Sequence, residues 1–518
     1  MIFAHCHCII QSDVVFLLIK AELEKFYKLK IEMNIRIVFG LLGYLTLATG
    51  AAMLPPLILA TMNKDDGDAA AFLLSMFLCI AVTFELERFG GLKGKDNIGV
   101  REGIAVTGLG WLLVSILGTV PYLAGGYLNL VDSFVESFAG FSGTGATVFA
   151  DVEILPRSIL LWRSLSNWVG GLGIVVIFMA ILSHFGRGAM FILKAEMTGP
   201  TKERNMPRIR DNAKMLFKIY ATLTFLCAVG YFLCGLDVFA AVNHAMTTIA
   251  TGGYSIYNDT VNEYGNPYLE FCMAFFMIVA SGSFAMYAVA YQRGISTIFR
   301  NAEFRVYLWI VFVATAIIST DLILEMDWEV GYAVRSALFH VASLSSTTGF
   351  VAHDFDMYPP ISKSFLMMTI FLGGCAGSTA GGLKVARIIL LFKFVVMIVR
   401  QKIHPQLINT VKLNGKTIDE GVVYSAARFF FALVVLDIFF AFVMMFDGID
   451  FINSISVSVS TMASVGPGFG IEGATSTYGL LPDFSKLVAC ACMFLSRLEI
   501  FVVLVLLTPS FWRNSDGW

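Results

Sequence analysis

Four short stretches of the chain carry the residue types that can take the place of water around a small cation. Phe138–Phe149 holds Gly143, Thr144 and Gly145, and Ile249–Ser255 holds Ala250, Thr251 and Gly252. Ser346–Val351 holds Thr347, Thr348 and Gly349, and Ala463–Phe469 holds Ser464, Val465 and Gly466. Each offers backbone carbonyls, most add hydroxyls, and none contains an acidic or basic side chain. Glycine lets the backbone approach closely and turn its carbonyls inward, and a ring of carbonyls replaces the hydration shell of K⁺. A divalent cation would call for carboxylates, and an anion for Lys or Arg. The key glycines, Gly145, Gly252, Gly349 and Gly466, recur 107, 97 and 117 residues apart, the mark of an internal repeat.

Loops of this kind need a particular setting. The 518-residue chain is 57% apolar and 14% charged, with a mean hydropathy of +0.76. Soluble proteins carry roughly 25% charged residues, so the composition is that of an integral membrane protein. Backbone that is neither helix nor barrel cannot face lipid and has to sit inside protein or along a wet cavity. Four such loops, each between apolar helices and each preceded by a short amphipathic run, therefore have to meet. The half-helices before them, Asp132–Phe138, Val238–Thr248, Ala333–Ser345 and Phe451–Ser460, turn their negative dipole ends toward that meeting point, which favours cations. A net charge of −2 gives no sign of a nucleic-acid partner.

The expected fold is an all-α polytopic membrane protein. Residues 1–33 form an N-terminal extension, with Met33 a plausible natural start, and residues 34–95 an accessory two-helix hairpin. Four units follow over 96–190, 191–300, 301–415 and 416–518. The first helix runs from about Ile35 to Met62, kinked by Pro55-Pro56. Return helices are expected over Arg157–His184, Tyr268–Tyr291, Lys363–Val399 and Leu487–Leu507, for a total of ten spanning helices and four half-helices. Basic clusters follow each return helix of the first three units, whereas Asn258–Pro267 and Gly448–Asp483 contain no Lys or Arg. The positive-inside rule then puts both termini in the cytoplasm and the filter-like loops on the other side. The nine cysteines form no disulfide framework, and His5-Cys6-His7-Cys8 reads as a tail rather than a metal site.

Two further features bear on the path below the loops. Gly373, Gly374, Gly377, Gly381 and Gly382, with Ser378, Thr379 and Lys384, lie inside the third return helix. Five glycines weaken a helix by roughly 1 kcal/mol each, so the helix is expected to break there. It reads as a mobile intramembrane gate in preference to a close-packed glycine face. Arg497 lies in the last helix, where a charge costs roughly 2.5–3.5 kcal/mol on insertion scales. It either places positive charge under the loops or pairs with an acid such as Glu499, and both can hold.

Taken jointly, Thr144–Thr147, Trp168–Gly173, Ala250–Gly253, Ser346–Phe350, Gly373–Lys384, His404-Pro405 with Val411–Gly415, Val465–Gly468 and Arg497–Glu499 resemble the K⁺-translocating membrane subunits of the Trk/Ktr/HKT superfamily, the Trk type in particular. The resemblance spans Met33 to the C-terminus. It implies four M1–P–M2 repeats in pseudo-fourfold arrangement around one pore. It also implies a homodimer in the bacterial inner membrane and a cytosolic regulatory ring whose domains bind NAD or ATP. It assigns the filter to the four glycines, the gate to Gly373–Lys384 and the pore cation to Arg497. Family members that admit Na⁺ have serine at the first filter glycine, so Gly145 favours K⁺. The transported K⁺ needs no organic cofactor on this chain. The alternative is a cation-coupled secondary transporter of another small solute, which also uses broken helices near the midplane. An enzyme is not expected, since His184, His244, His340, His353 and His404 fall on different segments and no catalytic set is visible.

Overall fold

The computed structural model describes residues 33–90, 99–171, 173, 209–258, 265–404, 411–413 and 416–512. The N-terminal extension, the basic turn after Gly90 and the second half of the expected first return helix with its basic loop lie outside the described residues.

The N-terminal hairpin pairs α1 (Ile35–Ala52) and α2 (Leu54–Asn63) with α3 (Asp66–Gly90). The helix is interrupted at Met53, just before Pro55-Pro56, because prolines remove two backbone donors and crowd the preceding turn. The lipid-facing side of α3 exposes Leu73, Phe77, Ile80 and Phe84. Its first turn is tied to the next unit through Asp68, which accepts the Tyr127 hydroxyl at 2.5 Å and the Ser158 hydroxyl.

The order long helix, short helix, loop, return segment then recurs four times. The first unit comprises α4 (Val100–Ala124), α5 (Leu130–Ser142) and α6 (Arg157–Gly171). The second has α7 (Ile209–Leu233), α8 (Val238–Ile249), α9 (Pro267–Ala280) and α10 (Phe284–Arg293). A short α11 (Ser296–Arg300) leads into α12 (Ala302–Met326), α13 (Val330–Ser345), α14 (Pro360–Leu372) and α15 (Val385–Ile403). A two-stranded ribbon, β1 (Lys412–Leu413) with β2 (Lys416–Thr417), precedes α16 (Glu420–Met445) and α17 (Phe451–Met462). The last unit closes with α18 (Asp483–Leu498), α19 (Ile500–Leu507) and α20 (Pro509–Trp512). Asn129, Asp237 and Asp450 cap the half-helices α5, α8 and α17 by accepting N–H groups of the first turn. Each return segment packs on its neighbour's half-helix: α6 on α8, α9 on α13, α14 on α17, and α18 back on α5.

Among the described residues, six helices are long and apolar enough to cross a membrane, and two bent pairs add two further candidate spans. The return segments differ from the straight helices expected over Tyr268–Tyr291 and Leu487–Leu507. The α9–α10 pair bends by 91° at Ser281–Ser283, and the α18–α19 pair by 113° at Glu499. The third return segment is broken over Gly373–Lys384, where the glycine content pointed.

Candidate functional site

The four half-helices end alike. Gly143, Thr251, Thr347 and Ser464 all take left-handed backbone, with φ of 75°, 55°, 58° and 55°. Each of their N–H groups bonds the carbonyl three residues back, and the next N–H reaches five back: Thr144 to Ala139, Gly252 to Thr247, Thr348 to Ser343 and Val465 to Ser460. This is the Schellman closure of a helix C-terminus. Threonine and serine hold it in three units although left-handed backbone costs a non-glycine residue about 1–2 kcal/mol. Two residues on, Gly145, Gly253, Gly349 and Gly466 are left-handed again, at 71°, 68°, 83° and 91°.

That register corrects the sequence reading at the second loop. The equivalent triplet is Thr251, Gly252 and Gly253; Ala250 belongs to the helix end, with φ of −71°. Gly252 has a different duty. A Cβ there would lie 1.6 Å from Oδ1 of Asn167, which α6 places against it. One glycine makes room for a neighbour and the next bends the chain.

The second glycines touch one another's loops in sequence. A Cβ on Gly145 would sit 1.9 Å from the Gly252 carbonyl oxygen, one on Gly253 1.8 Å from that of Thr348, and one on Gly349 2.2 Å from that of Val465. One on Gly466 would sit 2.5 Å from the Thr144 carbonyl oxygen. The series returns to its start. Among the described residues, no N–H or O–H is donated to the carbonyls of Gly143–Gly145, Thr251–Gly253, Thr347–Gly349, Ser464 or Val465, although buried carbonyls are normally paired. The Gly466 carbonyl accepts the Tyr478 hydroxyl at 2.7 Å.

The Gly373–Lys384 segment lies under three of the loops. Thr379 Oγ1 donates to the Ile249 carbonyl at the end of α8, at 3.0 Å. Gly381 N–H donates to Thr347 Oγ1 at 2.7 Å, and a Cβ on Gly381 would meet the Ala463 carbonyl oxygen at 2.0 Å. Gly373, Gly377 and Gly382 have positive φ, as does Lys384. The segment is laced to the α9–α10 break: Cys375 N–H donates to Ser281 O at 2.9 Å, and Phe284 N–H to Gly377 O at 3.0 Å. Glu303, near the start of α12, pins both ends by accepting the Ala376 N–H at 2.6 Å and the Ala386 N–H at 3.1 Å. Sequence reasoning missed Glu303; its only signal was an acid at the head of a spanning helix.

Arg497 stands under the first loop. Its Nη2 donates to the carbonyls of Gly170 and Gly171, the latter at 3.2 Å. Nη1 is 3.9 Å from where a Cβ on Gly143 would stand, and the guanidinium lies 5.0 Å over the Trp111 ring. Glu499 accepts from Arg387 at 2.6 Å. A cavity of about 130 Å³ opens here, lined by the Gly377–Gly382 stretch, Lys384, Arg387, Arg497 and Glu499.

Behind the fourth loop, on the turn between α17 and α18, Glu472 is 1% exposed and accepts the Ser460 hydroxyl at 3.0 Å. Burial pushes its carboxyl from 4.5 up to about 8; hydrogen bonds from Tyr478, Ser456 and Ser460 act the other way, and the Asp356 carboxylate adds to the rise. The folded chain thus keeps a proton that the unfolded chain releases above about 4.5, and the stability this carries is lost as pH rises through about 8. Thermal unfolding in detergent is expected to occur at lower temperature at about pH 9 than at about pH 5, and Glu472→Gln to reduce that difference. An equal difference in the variant would remove Glu472 as its source.

Residues 69–514 match the sequence model of the TrkH family, described as a cation transport protein. The Trk system potassium uptake protein TrkH of Halomonas elongata is 34% identical over 486 residues, covering 93% of this chain and 100% of that protein. Its namesake in Escherichia coli K12 is 32% identical over 487 residues, with the same coverage. The crystal structure of the potassium transporter TrkH from Vibrio parahaemolyticus aligns with a TM-score of 0.84 at 28% sequence identity, over 93% of this chain and 100% of that one. With multiple apolar helices, a family match over most of its length and a fold shared with a solved transporter, the chain belongs to the TrkH family of cation transport proteins, whose members are membrane transporters and not enzymes.

Proposed function

We propose that the chain is the ion-translocating subunit of a K⁺ uptake system. The observation that carries this reading is the closed series of glycine-to-carbonyl approaches, Gly145 to Gly252, Gly253 to Thr348, Gly349 to Val465 and Gly466 to Thr144. Such a series fits four loops in pseudo-fourfold arrangement around one axis. Carbonyls that receive no hydrogen bond from the described residues are free to take over the hydration shell of K⁺. The C-terminal ends of α5, α8, α13 and α17 lend negative potential there. Below, Gly373–Lys384 acts as the gate, and Arg497 adds a positive barrier.

The chain works in the bacterial inner membrane with both termini cytoplasmic, as the distribution of Lys and Arg favours. Two copies form a homodimer, and a cytosolic regulatory ring that binds NAD or ATP docks on the basic inner side. Bilayer lipid covers exposed apolar faces such as that of α3.

Expression in a strain stripped of its own K⁺ uptake is expected to restore growth at low external K⁺. Absence of growth with the protein present in the membrane would reject the reading. Vesicles holding the purified chain should take up radioactive Rb⁺, with K⁺ a stronger competitor than Na⁺.

A further inference from the structure

Behind each loop, one polar side chain of the half-helix reaches the chain beyond the second left-handed glycine, at a backbone N–H in three units and at a serine hydroxyl in the second. Glu136, His244 and His340 stand nine residues before Gly145, Gly253 and Gly349, and all are 0% exposed. Glu136 Oε2 accepts the N–H of Val148, three residues past Gly145, at 2.9 Å. Arg163 Nε holds the other carboxylate oxygen at 2.7 Å. His340 Nε2 accepts the N–H groups of Ala352, three past Gly349, and His353, each at 3.4 Å. His244 Nε2 lies 3.3 Å from the hydroxyl of Ser255, two past Gly253.

In both histidines Nδ1 faces the carbonyl four residues back, Ala240 or Ser336, at 2.9 Å. A carbonyl only accepts, so Nδ1 carries the proton and Nε2 is the acceptor. In the fourth unit Val457 occupies the matching position. Its neighbour Ser456 takes over and accepts the N–H of Phe469, three past Gly466, at 2.8 Å. The two histidines that look unrelated in the sequence are therefore copies of one position, shared with Glu136.

We infer that Glu136, His244, His340 and Ser456 are positioning residues that set ion preference from outside the filter. The inference rests on the filter role proposed above. Each loop is closed at its inner end by the Schellman cap and tied at its outer end by one of these side chains. Of the carbonyls between, those of Gly143–Gly145, Thr251–Gly253, Thr347–Gly349, Ser464 and Val465 accept no hydrogen bond from the described residues, whereas those of Thr147, Phe350 and Gly466 are also held, by the Tyr478 N–H, the Ser343 hydroxyl and the Tyr478 hydroxyl. Removing the tie at Glu136, His340 or Ser456 leaves a loop N–H without its acceptor, and a loop carbonyl that no described residue holds can then accept it. Turning one toward that N–H withdraws an oxygen from the ion and loosens the spacing on which K⁺-over-Na⁺ choice depends.

The test compares His340→Leu, which removes the acceptor, with His340→Gln, whose amide oxygen can stand near Nε2, both as full-length chains in vesicles. The reading is the ratio of K⁺ to Na⁺ competition for radioactive Rb⁺ uptake. Leucine is expected to lower that ratio about tenfold, the scale of one buried donor left unpaired, and glutamine to restore most of it. Ser456→Ala removes a single hydroxyl, is expected to shift the ratio the same way, and serves if His340→Leu does not assemble. Wild-type ratios in the assembled Leu and Ala variants overturn the inference, even if thermal stability falls, because a merely structural tie would lower stability alone. No Rb⁺ uptake by wild-type vesicles sinks the proposed function and this inference with it.

Discussion

Replacing Gly145 with serine is expected to reduce the preference for K⁺ over Na⁺ by about tenfold or more, the equivalent of roughly 1.4 kcal/mol between the two bound ions. The backbone at Gly145 has φ of 71°, where a side chain is strained. The new Cβ would lie 1.9 Å from the Gly252 carbonyl oxygen, whereas real contacts of this kind begin near 3.0 Å. One loop has to give way, and the oxygen that moves is one assigned to ion binding. The serine hydroxyl adds a ligand of a different reach, so a smaller ion gains what K⁺ loses. Competition of K⁺ and Na⁺ for Rb⁺ uptake in vesicles measures the change. An unaltered ratio in a well-assembled variant would take Gly145 out of the selecting ring.

Arg497→Ala should raise K⁺ flux several-fold. At an effective dielectric constant of 20, a unit positive charge opposes K⁺ about 5 Å away by about 3 kcal/mol. The carbonyls of Gly170 and Gly171 and the Trp111 ring face hold the guanidinium in place. A deletion within Gly373–Gly382 should have the same sign, since it removes the contacts to Ile249, Thr347 and Ala463 that hold the segment under the loops. Initial Rb⁺ uptake normalised to reconstituted protein decides this. Flux at or below the wild-type level in both variants would end the gating account.

The membrane class, the short helices before the loops and the break at Gly373–Lys384 were legible in the chain, because each rests on local chemistry. Glycine, serine and threonine between apolar runs can hardly be anything but irregular backbone at depth. The register of the second loop was not legible, because Gly252 and Gly253 are adjacent and alike. They are told apart in the fold by Asn167, brought by α6 against Gly252, and by the left-handed backbone of Gly253. The bend at Ser281–Ser283 had a local signal in Gly282 between two serines, whereas the bend at Glu499 had none. The Ser281 carbonyl is held by the N–H of Cys375, 94 residues further along the chain, and Glu499 by Arg387. His244 and His340 looked scattered because the positional match appears only once the left-handed glycines are aligned.

The broken return segments divide the molecule mechanically. At Ser281–Ser283, Gly373–Lys384 and Glu499 no continuous helical rod connects the outer layer to the inner one. A push on the far end of α10, α15 or α19 meets a joint before it meets the loops. On the roles proposed above, the inner halves are the parts that can turn at these joints like shutters on hinges, while the loops that would choose the ion keep their own closures. Throughput and discrimination become separately adjustable properties of one polypeptide.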